Sequence, residues 1–339
     1  MSRTRIAING FGRIGRHAFK IAIGKPELEV VAVNDLGSLE VMAHLLRHDT
    51  AYGAYDRTVR VEGDTVIVDD HKVKFLSVKE PGELPWKSLK VDVVLESTGR
   101  LTKDGAARAH LTAGAKRVIV SAPTKGGNVQ TYLLGVNAEK NSGDEVISNA
   151  SCTTNCVSPV AKVMLTNFGI KKAAMTTIHS YTAEQNLVDG PVPPLHPDLR
   201  RARAAAQNIV PTTSGAAIST GEVLPELQGI FDGYALRVPT LTVSYTDFTF
   251  LTKKKTTIEA VNQAFRAAAD SPAMKGILAV TEEQLVSSDF KGNPASAIVD
   301  LPLTNVIDGD LVKVAAWYDN EWGYANRFVE QAIAVGQDL

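Results

Sequence analysis

Cysteine is scarce in this chain: two residues in 339. Two cysteines cannot build a disulfide framework, so they read as thiols in a reducing compartment, and a cytoplasmic protein is expected. An excess of either charge is also missing. The 36 Lys and Arg against 37 Asp and Glu leave a net charge of −1. No broad electropositive surface follows, and nucleic acid is not expected as a main partner. A local basic patch at Arg200, Arg201 and Arg203 is the one exception. No apolar run approaches the ~18 residues of a membrane span. The opening MSRTRIAINGFG lacks the apolar core and cleavage site of a signal peptide. Internal repeats and low-complexity tracts are absent as well.

What is present is an ordinary packed composition, 44% hydrophobic and 22% charged. The length suits two domains of ~100–200 residues. The first half alternates short β-type runs with helical patterns. Thr4–Asn9, Glu29–Val33, Val91–Leu95 and Arg117–Val120 read as strands. Phe11–Ile23, Ser38–Leu46 (with Ser38 as cap) and Lys103–Ala113 read as helices. Such alternation predicts a parallel, doubly wound α/β sheet. Beyond residue 150 the pattern changes. Thr153–Phe168 reads as a helix, with Pro159 as a kink or an early turn. Longer β-rich runs follow at Ala173–Tyr181, Ala235–Thr252 and Leu311–Tyr318, with helices at Ile258–Ala269 and Trp322–Gln337. This half reads as α+β with a mostly antiparallel sheet. Its long irregular stretch, Glu184–Pro211, contains Pro191, Pro193, Pro194, Pro197 and His196. Loops of that length in compact domains are functional or disordered.

Gly10-Phe11-Gly12-Arg13-Ile14-Gly15 is a G-x-G-x-x-G run between a strand and a helix. In that setting Gly10 permits the turn, Gly12 admits a pyrophosphate to the backbone and Gly15 permits close helix–strand packing. The helix N-terminus offers free N–H groups to phosphate. Asp35 ends the second strand, where a carboxylate accepts from the adenosine ribose and repels a 2′-phosphate, so NAD is favoured over NADP.

Cys152 stands at a helix start among small polar residues, in SNASCTTNC. A helix N-terminus favours thiolate over thiol. His179, in TTIHSYT, is the best-placed base among seven histidines. A metal site is not expected, because two further soft ligands are missing. The C-x-x-x-C spacing also disfavours a thioredoxin-like couple. Cys156 reads as a buried packing residue one turn below Cys152.

INGFGRIGR, VND, STG, SNASCTTNC, TTIHSYT, RRARAAA, ALRVPT and WYDNEWGY occur in this order. Together they resemble the phosphorylating glyceraldehyde-3-phosphate dehydrogenases over essentially the whole chain. The resemblance implies an NAD-binding Rossmann domain (1–151, with a returning helix in 317–339) and a catalytic domain (152–316). It implies a homotetramer, and likens Glu184–Pro211 to the family's S-shaped loop. Cys152 would be the nucleophile and His179 the base. Arg237 and Thr182 would hold the phosphate of a triose phosphate. Ser151, Thr153, Ser214 and Gly215 would hold inorganic phosphate. Asn320 would hold the nicotinamide carboxamide, with Tyr324 packed nearby. Asn9, Gly10, Phe11, Gly12, Arg13, Ile14, Asp35, Thr98, Gly99 and Ser121 would line the rest of the cofactor site.

The chain departs from that pattern in three places. DGPVPPLHPDLRRAR, Asp189 to Arg203, is longer than the family's usual loop and puts Pro197 where a cation is common. PTTSGAAI ends in Ile218 rather than lysine. HPDLRR also resembles the erythrose-4-phosphate dehydrogenases, which leaves that substrate open. A regulatory NAD-binding protein without turnover is the alternative of another class.

Overall fold

The computed structural model describes residues 3–192 and 197–339. Pro193, Pro194 and His196 of the long loop lie outside the described residues. The chain forms two compact units. The first comprises Met1–Leu134, Ala138–Ser151 and Ala325–Leu339; the second comprises Gly135–Asn137 and Cys152–Tyr324. The return to the first unit thus begins at Ala325 rather than at 317. The reason is local: Trp317 and Tyr318 are still paired within the second unit's sheet.

The first unit is built on a 9-stranded sheet. Its order is Gln130–Thr131, Val146–Ser148, Arg117–Val120, Val93–Glu96, Thr4–Asn9, Leu28–Asn34, His71–Leu76, Thr65–Val68, Val59–Glu62. Pairing is parallel from the first of these to His71–Leu76. Strands buried on both faces read as continuous apolar runs, as Val93–Leu95 does before buried Glu96. The last two strands are antiparallel, an up-and-down edge not anticipated from the alternation. Left-handed Gly63 (φ 58°) and Asp69 (φ 51°) make its two turns. Thr4–Asn9 has Leu28–Asn34 on one side and Val93–Glu96 on the other. Its C-terminal end is therefore the topological switch point, where open α/β sheets bind ligands.

Two expected helices differ in extent. Phe11–Ile23 is helical only from Arg13, with Gly12 as N-cap, because Phe11 still belongs to the glycine turn. Lys103–Ala113 is instead a 3₁₀ turn, Ala106–Arg108, running into a short α-helix, Ala109–Thr112. Left-handed Asp104 and Gly105 break its first turn. Ser38 does cap Leu39–Arg47, its Oγ accepting from the Val41 N–H at 3.3 Å. Such a cap stabilises by about 1 kcal/mol.

The second unit holds an 8-stranded mixed sheet. Strand Ile170–Ser180 runs parallel to Phe231–Val238 on one side and antiparallel to Ser244–Thr252 on the other. Ser244–Thr252 pairs antiparallel with Leu311–Tyr318. The single run expected over Ala235–Thr252 is thus two strands, separated by a turn that contains Pro239. Strict alternation of buried and half-buried residues along Ser244–Thr252 gives the sheet one core face. The helix Cys152–Phe168 packs on this unit's strands and is buried along most of its length. It begins one residue earlier than expected, so Cys152 lies in its first turn. It continues through Pro159, which removes one i→i−4 hydrogen bond without ending it.

Of the three fingerprint glycines, Gly15 makes the tightest packing contact within the fold. A Cβ there would strike the Gly10 carbonyl oxygen. Gly15→Ala is expected to cost about 1–3 kcal/mol by overpacking. Chemical denaturation without ligand checks this; an unchanged midpoint would refute the packing argument.

Candidate active site

At the switch point, Gly10 takes φ 95° and its missing Cβ would meet the Thr98 nitrogen at 2.7 Å. Gly12 is different: a Cβ there would find no atom within 4 Å. Its empty side faces open space, as a backbone cradle for a phosphate requires. Asp35 braces the loop, Oδ2 accepting from the Phe11 N–H at 2.7 Å and Oδ1 from the Gly37 N–H at 2.8 Å. Each carboxylate oxygen has a second lone pair left for a ribose hydroxyl.

Behind the loop, Asn9 Nδ2 donates to Glu96 Oε2 at 2.6 Å, and the Thr98 N–H donates to Glu96 Oε1 at 2.9 Å. Glu96 is buried, so these donors satisfy a carboxylate that would otherwise be costly to bury. Left-handed Gly99 follows, and the Ser121 N–H donates to the Glu96 carbonyl at 2.9 Å. Arg13 points elsewhere: its guanidinium pairs with buried Asp49 at 2.6 Å and lies over Tyr52. Ile14 is half-buried on the first helical turn. These residues fit a dinucleotide.

The second unit gathers the reactive groups. Cys152 Sγ lies 3.4 Å from His179 Nε2. His179 Nδ1 lies 2.6 Å from the Ser180 carbonyl oxygen. A carbonyl only accepts, so Nδ1 carries the proton, and in the neutral ring Nε2 is the free base facing sulfur. Tyr318 stands edge-on to the imidazole at 6.0 Å between ring centroids. Its hydroxyl bonds Thr153 Oγ1 at 3.0 Å and Thr177 Oγ1 at 2.8 Å.

Burial decides the charge state of this pair. The Cys152 residue keeps a partly open face, but its sulfur is desolvated, and this pushes the thiol up. Arg237 and the first-turn hydrogen bonds pull it down without prevailing. The thiolate expected at the helix start is therefore overruled by desolvation. Burial, and then Arg237, hold His179 well below the ordinary imidazole range. Both shifts favour the uncharged forms, a thiol and a neutral imidazole.

Strand register sets Arg237 directly beside His179. Arg237 Nη1 donates to Thr182 Oγ1 at 2.7 Å and to the Ser180 carbonyl at 3.4 Å. Glu184 lies 3.8 Å from Arg237 and 3.2 Å from Arg201. Burial opposes ionisation of Glu184, but Arg237, Thr182 and Arg201 outweigh it and keep its carboxyl low. Arg237 Nε is buried with no partner among the described residues. An orphaned guanidinium donor is suited to an oxyanion.

The structure thus brings Cys152, Thr153, His179, Thr182 and Arg237 into one connected group. Ser151 precedes Cys152 directly. Ser214 and Gly215 sit on a separate element, at the start of helix Ala216–Val223, with Ser214 Oγ accepting from the Ala216 N–H at 3.3 Å. Asn320 Oδ1 accepts from Ser244 Oγ at 3.0 Å, and Tyr324 is buried on the last helix. Glu184, Arg201, Tyr318 and Ser244 were not singled out as site residues from sequence. RRARAAA was a usable signal for Arg201, although it first read as part of a basic patch. That patch does not form: Arg201 is buried on Glu184 and Thr212, and Arg203 pairs with Asp189 at 2.7 Å. Among the described residues no group of three metal-ligating side chains occurs, and no helix is long and apolar enough to cross a membrane.

The chain also matches known proteins along nearly its whole length. Residues 4–104 match the family model for the glyceraldehyde 3-phosphate dehydrogenase NAD binding domain, and residues 151–320 match that for its C-terminal domain. Glyceraldehyde-3-phosphate dehydrogenase of Streptomyces coelicolor is 50% identical over 338 residues, 99% of each chain. That of Mycolicibacterium smegmatis is 52% identical over 344 aligned positions, again 99% of each chain. That of Geobacillus stearothermophilus is 49% identical over 333, 98% of each.

Two measurements check the geometry. Gly12→Ala is expected to leave thermal stability unchanged yet weaken NAD binding at least tenfold by titration calorimetry, because its methyl enters only the ligand's space. Equal affinity would remove the cradle. For His179 the native ring stays neutral where the unfolded one, near 6.5, takes up a proton. The unfolded state then binds more protons, so this stability is whole above about 6.5 and lost as pH falls below it. Between pH 7.5 and 5.5 the wild-type Tm is expected to fall more steeply than that of His179→Asn. Parallel slopes would contradict the shift.

Proposed function

Because the chain belongs to the glyceraldehyde-3-phosphate dehydrogenase family, we propose that it converts D-glyceraldehyde 3-phosphate, inorganic phosphate and NAD to 1,3-bisphosphoglycerate and NADH. The observation that carries this reading in the molecule is the 3.4 Å approach of Cys152 Sγ to a His179 Nε2 whose other nitrogen is pinned.

The roles follow from the charge states. Burial favours the neutral thiol of Cys152, so its attack on the aldehyde carbon and loss of its proton to His179 Nε2 are assigned to one step. The imidazolium then passes that proton to the carbonyl oxygen, completing a thiohemiacetal. In the oxidation His179 takes the hydroxyl proton back, while bound NAD supplies the hydride acceptor. A thioester on Cys152 results. Phosphate attacks its carbonyl carbon, the C–S bond breaks, and the acyl phosphate leaves while sulfur recovers a proton. Arg237 disfavours the imidazolium and favours the thiolate, so it works for the leaving sulfur and against a lingering charge on His179.

Arg237, with its unpartnered Nε, and Thr182 are assigned to the substrate phosphate. Ser151, Thr153, Ser214 and Gly215 are assigned to the attacking phosphate. Asn320 is assigned to the nicotinamide carboxamide, with Tyr324 beside it. Asn9 to Ile14, Asp35, Thr98, Gly99 and Ser121 are assigned to the remainder of NAD. A homotetramer in the cytoplasm is part of the same proposal, supported by exposed Leu187, Val188 and Leu199 on the long loop, which suit burial against a second copy. The run HPDLRR favours a second reading, oxidation of erythrose 4-phosphate.

A rate matrix tests both: each aldehyde, with NAD or NADP, with and without phosphate. The expected result is fastest NADH formation with glyceraldehyde 3-phosphate, NAD and phosphate together. Phosphate-independent turnover would sink the main reading, and NAD binding without turnover on either aldehyde would point to a regulatory protein.

A further inference from the structure

Val243 takes φ 72°, a left-handed conformation that a β-branched residue rarely adopts. It lies in the turn that leads into strand Ser244–Thr252. Its carbonyl oxygen accepts from Ser180 Oγ at 2.7 Å. The next residue, Ser244, accepts on its Oγ from the Ser180 N–H at 3.1 Å. Ser180 Oγ also lies 2.8 Å from Thr240 Oγ1, across the same turn. Ser180 is thus gripped through its main-chain nitrogen and its hydroxyl. Its remaining polar atom, the carbonyl oxygen, holds His179 Nδ1. The strained turn therefore fixes residue Ser180, whose carbonyl sets the tautomer and aim of the base.

Ser244 does one thing more. A hydroxyl has a single proton. With the Ser180 N–H on one lone pair, the Ser244 proton goes to Asn320 Oδ1 at 3.0 Å. That bond orients the Asn320 amide with its oxygen toward Ser244 and leaves Nδ2 as the outward donor. Ser244 and Ser180 are both buried to within 1% of their surface, so water does not compete for these bonds.

We propose that Ser244 is a positioning residue that ties the imidazole of His179 to the amide of Asn320 through one hydroxyl. The inference rests on the reading of His179 as the base and Asn320 as a nicotinamide contact. Loosening either end of the tether then disturbs the other. Without Ser244 Oγ, Ser180 loses its main-chain N–H anchor while the hydroxyl and Arg237 contacts remain, and the aim of His179 at Cys152 loosens. Without Asn320 the Ser244 proton loses its acceptor, and the hydroxyl turns. The charged and titratable groups facing His179 are Cys152 on the helix, Arg237 on one neighbouring strand, Tyr318 on Leu311–Tyr318 beyond the other, and Arg201 further out. None of these is altered by either substitution.

The test is alkylation of the full chain by iodoacetamide without NAD, from pH 6 to 9.5, with the adduct on Cys152 located by mass spectrometry. Cys156 is fully buried and does not report. Wild type, Ser244→Ala, Asn320→Ala and His179→Asn are compared. At pH 7, where the thiol needs its base, Ser244→Ala and Asn320→Ala are each expected to react at least threefold more slowly than wild type. As pH rises and hydroxide increasingly takes the thiol's proton in place of His179, the ratio of wild-type to variant rates should narrow. The Kd of NAD should rise at least threefold in Ser244→Ala. Profiles that superimpose on wild type while His179→Asn is slowed overturn the tether and spare the catalytic reading. So does a lowered Tm with an unmoved profile. If His179→Asn itself alkylates at the wild-type rate, the Cys152–His179 reading falls, and the tether with it. Should Ser244→Ala not fold, Asn320→Ala reads the same coupling from the other end.

Discussion

Strand Ile170–Ser180 is paired on both sides, and its register is the constraint on which the reactive centre depends. In the parallel direction His179 meets Arg237; in the antiparallel direction Thr177 meets Thr246 and Ile178 meets Tyr245. One further strand across, Ser244 meets Tyr318. A slip of one residue would turn every side chain on the strand to the opposite face. The imidazole would leave Cys152, and Arg237 would lose its neighbour. The register is pinned from the neighbouring strand: a one-residue slip of Ser244–Thr252 against Ile170–Ser180 would expose Phe248 and Phe250, now fully buried and stacked at 5.6 Å. Exposing two aromatic side chains would cost several kcal/mol. Core packing and catalytic geometry are thus enforced by the same alternation.

Within that frame, desolvation rather than the helix end sets the resting charge. A cysteine at a helix start has some tendency to ionise, worth at most ~2 kcal/mol from the helix dipole. Removing sulfur from water opposes it, and the opposition wins here. The nearest cation, Arg237, cannot reverse the balance, because it also resists a second positive charge on His179. A neutral pair suits a site that must accept a phosphorylated aldehyde and later a second phosphate. Neither arrives against a fixed thiolate.

Much of this was legible in the sequence because the signals were local. A strand, three glycines, a helix and a strand-end acid sit within Thr4–Asp35, and backbone geometry follows from them directly. Ser38 as a cap and the final helix Trp322–Gln337 were equally local. The Cys152–His179 pairing needed two elements to meet in space, and there the residue types narrowed the choice. What stayed hidden had long-range causes. The antiparallel edge Val59–Leu76 carries short, mixed runs whose pairing shows only in the fold. Glu184, Arg201, Tyr318 and Ser244 are ordinary residues in the chain and gain their meaning from cross-strand register. The desolvation that opposes ionisation of Cys152 is hidden for the same reason: helix position is written locally, whereas burial is not.

The hydroxyl series Thr153–Tyr318–Thr177 has a consequence for proton order. Three hydroxyls in line can be polarised in only two senses. At the Thr177 end the neighbouring acceptor is the Tyr245 carbonyl, at a long 3.4 Å. Burial pushes the Tyr318 phenol far up, so it stays protonated and relays whichever sense its neighbours impose. With Thr177 donating to the carbonyl, Thr153 directs its proton inward and offers only lone pairs beside Cys152. Sacrificing that one weak bond reverses all three, and Thr153 then directs its proton outward, toward an anion. The centre can therefore turn the same side chain from acceptor to donor by rotating hydrogens alone, with no heavy atom displaced.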